Sequence, residues 1–97
     1  MRSRTADIIY DQMLLTTSKK VALTALKLVD SVQDEKVCDQ MLGLAAILIC
    51  MLHKYRLDYV DVLGIADNMV YSGENNNMKP EFKVITKYMK DDWDLRY

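Results

Sequence analysis

Met41-Leu42-Gly43-Leu44-Ala45-Ala46-Ile47-Leu48-Ile49-Cys50-Met51-Leu52 carries no charged, amide or hydroxyl side chain. A helix that is apolar all round belongs inside protein or lipid. Crossing a bilayer takes about 20 residues, and this run is much shorter. The stretch therefore reads as the middle of a central helix, about Glu35 to Tyr55, wrapped by the rest of the chain. On that reading Ile47 and Leu48 are both almost fully buried, although they point to different sides, and the chain neither crosses nor binds a membrane.

The surrounding chain fits an all-α architecture. Ninety-seven residues make one domain, 1–97, and a chain of this size buries roughly 60–70% of its extended surface. Only one Pro and three Gly interrupt it, so breakers are too few for a turn-rich β fold. The expectation is a compact bundle of four to five helices around the central apolar one.

Four more segments follow helical spacing. The first runs from about Thr5 to Leu15, with Thr5 as cap and Ile9 and Met13 four apart on an apolar face that Ala6, Ile8 and Leu15 widen. The second runs from about Lys19 to Val32, capped by Thr17 or Ser18, and carries the stripe Ala22, Ala25, Leu26, Val29. Asp34 is the expected cap of the central helix. Gly43 and Ala46 share a face of that helix, which predicts a close helix crossing there. After the tight turn Arg56-Leu57-Asp58, Asp58 caps a segment from about Tyr59 to Tyr71, and antiparallel pairing across the turn sets Gly64 level with Cys50. Gly73 ends that segment and Asn75-Asn76-Asn77 lies in the one clear loop. Pro80 opens the last segment at the position proline favours. Phe82, Ile85, Met89 and Trp93 line one of its faces and Lys83, Lys87 and Lys90 another.

Charge and cysteine usage exclude more than they select. Net charge is −1, which is no nucleic-acid signature. It is unevenly spread: +2 over residues 1–30 (five basic, three acidic), −4 over 31–75 (three and seven) and +1 over 76–97 (five and four). Cys38 and Cys50 fall twelve residues apart on one helix, roughly 18 Å at 1.5 Å per residue, beyond the reach of a disulfide. Free buried cysteines and an N-terminus without an apolar signal core predict a cytoplasmic protein.

No constellation of catalytic residues emerges. Cys50 and His53 are spaced to touch one metal, but structural zinc wants four ligands and the chain offers no other two at a matching spacing. Glu35 with Asp39, and Asp58 with Asp61, are acidic pairs of the kind that hold Mg²⁺, yet the central helix separates them by roughly 25–30 Å, so only an oligomer could unite them as an Mg²⁺-dependent hydrolase. No serine sits in a glycine elbow, and the single histidine has no nucleophile partner. The helix after the tight turn carries Asp58, Asp61 and Asp67 and no Lys or Arg, so it would be repelled by DNA phosphates.

These exclusions lead to a non-catalytic, self-associating interaction protein without metal or cofactor: an adaptor, inhibitor or assembly component, a design common among accessory proteins of phages and mobile elements. Wide apolar arcs on the second and fourth segments favour a homodimer or larger assembly. The partner-facing residues expected from sequence are Lys83, Lys87 and Lys90, presented outward from the last helix, with Trp93 either continuing its apolar stripe or anchoring a partner. The alternative is a nucleic-acid-associated protein using Arg2, Arg4 and the lysine stripe.

Overall fold

Five helices follow one another in the computed structural model, which describes residues 3–71 and 76–89. They are α1 (Arg4–Leu15), α2 (Ser18–Ser31), α3 (Val37–Tyr55), α4 (Tyr59–Val70) and α5 (Pro80–Tyr88). The all-α architecture is the one the patterning predicts. Among the described residues the only β pairing is an isolated antiparallel bridge between Tyr71 and Met78, which closes the α4–α5 connection together with a hydrogen bond from Lys79 N to Val70 O.

Local chemistry sets the helix starts. Ser3 Oγ accepts from Ala6 N, Thr17 Oγ1 from Lys20 N and Asp58 Oδ1 from Val60 N. Each satisfies a backbone donor that the first helical turn leaves orphaned. The caps of α2 and α4 are those expected. α1 begins one residue before Thr5, because Ser3 captures the free N–H first. α3 begins at Val37 with Lys36 at the N-cap position, where no side chain caps it, so the expected Asp34 cap is not used. Residues 32–34 form a turn instead, and Gln40 reaches back to Glu35 O.

α3 ends in a Schellman motif. Leu57 N donates to Leu52 O and Arg56 N to His53 O, the pairing that ties off a helix around a left-handed residue. That residue is Arg56, at φ 56°. A side chain in this conformation costs about 1–2 kcal/mol, partly offset by glycine's greater unfolded freedom. Arg56→Gly should therefore raise stability by about 0.5–1 kcal/mol. A urea midpoint that falls in this variant would show that the Arg56 side chain outweighs its backbone strain.

The core lies between α2 and α5. Ala22 and Val29 of α2 cluster with Phe82 and Ile85 of α5, and Val21, Ala25, Leu26, Val70 and Met78 pack around them. Both stripes were legible in the sequence. Ser18 Oγ donates to Glu81 Oε2 at 2.8 Å, and Tyr88 Oη to Asp30 Oδ1 at 2.6 Å. The start of α2 thus meets the start of α5 and the two ends meet, so the helices run parallel. Gln33 Nε2 adds a bond to Tyr88 O.

These two bonds also give the chain a pH signature. Glu81 is held below its usual range, first by its own backbone N–H and then by Ser18. Tyr88 is pushed up because its hydroxyl proton is held by Asp30. A lowered carboxyl stabilises the fold above its unfolded pKa and loses that contribution as pH falls through the folded value. A raised phenol stabilises it below the unfolded pKa and loses that contribution as pH rises through the folded value. The thermal midpoint should therefore show an acid limb below about pH 4.5 and an alkaline limb above about pH 10. Glu81→Gln should flatten the first and Tyr88→Phe the second. Unchanged limbs in both variants would dissociate these bonds from stability.

A second, smaller contact fixes α1 to the α3–α4 corner. Ala6, Tyr10 and Leu52 are buried, and Asp58 N donates to Tyr10 Oη at 2.7 Å.

The expected enclosure of α3 does not occur within one chain. Only Leu52 of its nineteen residues is buried. Leu48 is half-buried and Ile47 is exposed, where both were expected inside. Cys38 and Cys50 are free as expected, but exposed rather than buried. A Cβ placed on Gly43 or Gly64 would meet nothing within 4 Å, so the close crossing expected at Gly43 is absent among the described residues, and nothing packs closely on Gly64 either. The physical reason is that α2 and α5 satisfy one another. Their apolar faces close a core without α3, and the remaining helices are too few to surround it.

Candidate interaction surface

α3 projects its side chains in every direction, and what covers each direction differs. Val37, Gln40, Leu44, Leu48, Leu52 and Tyr55 are half-buried or buried and mark the side towards the rest of the chain. On one flank, Leu44, Ile47, Leu48 and Met51 face Ala25, Leu28 and Val29 of α2 across an apolar groove of about 280 Å³. On the other flank, Ala45, Leu48, Ile49 and Leu52 face Tyr59 and Leu63 of α4 across an open groove of about 1030 Å³, with His53, Lys54 and Arg56 at its end.

The side opposite both flanks has no cover. At 100° per residue, Asp39, Leu42, Gly43, Ala46 and Cys50 fall on this side, with Ile49 and His53 at its border with the α4 groove. Leu42 is 70% exposed, Ile49 65% and, at its edge, Ile47 57%. α4 continues the surface with exposed Tyr59, Val60 and Leu63 and has no buried residue. This agrees with the wide apolar arc expected of the fourth segment. α2 contributes exposed Leu23 and Leu28. The sequence signal for α3 was present, since a helix apolar all round demands cover. It was attributed to burial by the same chain.

The residues expected to face a partner lie elsewhere. Lys83 and Lys87 are exposed on α5, opposite the buried Phe82 and Ile85. Met89 is exposed rather than continuing the stripe inward. Lys90 and Trp93 fall outside the described residues. α5 is also the helix most firmly tied to the chain, by its core face and by hydrogen bonds at both ends.

Among the described residues no three His, Cys, Asp or Glu side chains converge to hold a metal. Cys50 is exposed on the uncovered side of α3 and His53 at the border of that side, and the acidic pairs stand at the two ends of the helix. By length and composition, Val37–Tyr55 is a helix capable of crossing a membrane, with mean hydropathy 1.5 over its best window and 6% of that window buried.

Fold and surface together describe a small all-helical protein with one paired core and one apolar helix left uncovered. Comparison with protein-family models, curated proteins and solved structures finds no match to the chain.

Proposed function

We propose that this protein is a non-catalytic interaction module that works as a self-associated assembly, with α3 and the adjoining face of α4 as its contact surface. The observation that supports this reading is the exposure of Met41, Leu42, Ile47, Ile49, Met51, Tyr59, Val60 and Leu63 on two consecutive helices. At about 100 Å² of apolar surface each, Leu42, Ile49, Tyr59, Val60 and Leu63 together offer roughly 500 Å² to one partner, with Ile47 at the edge and Met41 and Met51 turned towards the rest of the chain. Apolar patches on monomers seldom exceed a few hundred Å².

Light scattering on a sizing column tests the proposal. The expected result is a dimer or larger species at micromolar concentration, insensitive to salt because apolar contact dominates. A clean 11.2 kDa monomer across a hundredfold concentration range would refute it. A species that appears only with added nucleic acid, and dissolves steeply as salt rises, would favour the basic-surface alternative instead.

A further inference from the structure

We infer that the uncovered side of α3 pairs with the same side of α3 in a second copy, antiparallel, about a two-fold axis near Ala46. This deepens the self-association proposed above and rests on it. The surface has the composition of a helix seam. Its centre line is small: Gly43, Ala46 and Cys50, with open space over Gly43. Its edges are large and exposed: Leu42 and Ile49 on one side, Ile47 on the other. Small central residues let two helix backbones approach closely while larger ones interlock beside them.

An antiparallel register makes each residue meet a fitting one. About an axis between Ala46 and Ile47, Gly43 lies level with Cys50 of the partner subunit, and Leu42 comes within about 3 Å along the seam of Ile49 of the partner subunit, on the same edge. Ile47 lies close to Ile47 of the partner subunit. The same register sets Asp39 level with Lys54 of the partner subunit, at each end of a seam about 22 Å long at 1.5 Å per residue. Cavity and charge therefore agree on one centre, with the bulky edge pair offset from it by about 3 Å.

Charge decides the direction. The start of α3 is acidic, with exposed Asp34, Glu35 and Asp39 against Lys36, and its end is basic, with exposed Lys54 and Arg56 beside His53. Antiparallel pairing sets acid against base at both ends and opposes the helix dipoles. Parallel pairing would stack like charges at both ends.

A bilayer is the competing occupant of an exposed apolar helix, and the flanks of α3 argue against it. α3 as a whole is about 28 Å long, close to a hydrocarbon core of about 30 Å, but its apolar run from Met41 to Leu52 covers only about 18 Å of that. Asp39, Gln40, His53 and Lys54 would have to enter the hydrocarbon core.

Three measurements on the whole chain test the inference. Gly43→Leu improves helix propensity on an exposed face, so it should fold with unchanged circular dichroism, yet it fills the seam and should weaken the dimer at least tenfold in sedimentation equilibrium. In a Cys38→Ser background, Gly43→Cys should form an intermolecular disulfide with the native Cys50 when copper phenanthroline is added as oxidant, giving a 22 kDa-class band on a non-reducing gel. Cys38→Ser alone should give far less of that band, because Cys50 residues lie about 10 Å apart along an antiparallel seam. Flotation with phosphatidylcholine vesicles should leave the wild-type chain in the aqueous fraction. A dimer that survives Gly43→Leu, or one cross-linked through Cys50 alone, would overturn the antiparallel seam while leaving self-association intact. A wild-type monomer would overturn both, and a monomer that floats with vesicles would identify lipid as what covers α3.

Discussion

Phe82→Ala should cost about 3–5 kcal/mol, the range for removing a buried aromatic ring from a packed core. Phe82 is buried on α5 within the cluster formed with Ala22, Val29 and Ile85. Truncation leaves a cavity at the contact that holds α2 and α5 together. A domain of ordinary stability has about 5–15 kcal/mol in total, so this variant should lose a large share of its urea midpoint or fail to fold at 37 °C. Ile47→Ala provides the contrast. Ile47 is 57% exposed, so in the dissociated chain its truncation should cost under about 1 kcal/mol. Its larger effect should appear only where the protein self-associates, as a midpoint that depends on protein concentration. Near-equal losses in the two variants, measured on dilute protein, would show that α3 is as much a part of the core as α5.

Tyr10→Ala should cost a further large amount, about 3–5 kcal/mol, again as the loss of a buried aromatic ring. Tyr10 is one of two buried residues of α1, and its hydroxyl accepts the Asp58 backbone N–H across 48 residues of sequence. It joins α1 to the corner where α3 turns into α4. Tyr10→Phe separates the two contributions. It keeps the ring and loses the hydrogen bond, which should cost about 1 kcal/mol, since Asp58 is exposed and water can replace the lost acceptor. Hydrogen exchange would localise the effect. Amides of α1 should lose protection in Tyr10→Ala while those of α2 and α5 keep it. Uniform loss across all five helices would mean that the α1 contact and the α2–α5 core unfold as one unit.

The proposed self-association would change the meaning of the exposed apolar surface. Uncovered, α3 and the start of α4 would be an aggregation hazard. Covered by a second copy, they complete the hydrophobic core that one chain begins. Lys83 and Lys87 would then lie on α5, which the α2–α5 core and its two hydrogen bonds hold rigid. Such a stripe suits a role as a steering surface for an acidic partner.

What the sequence alone determined follows from interactions short in chain distance. The five helices, the caps at Thr17 and Asp58, proline at the start of α5 and the stripes of α2 and α5 are written in spacing and in residues one turn apart. Their physics is local, so reading it needs no partner. Tyr10 was missed because its role depends on Asp58, 48 residues away. The placement of α3 was decided by tertiary structure alone. An uninterrupted apolar run states that a helix must be covered and leaves open which surface covers it. The first claim on the apolar faces of α2 and α5 was their own parallel pairing, joined by Ser18 to Glu81 and by Tyr88 to Asp30 across 63 and 58 residues. Once those faces were occupied, too few helices remained to enclose α3, and its outer side stayed open.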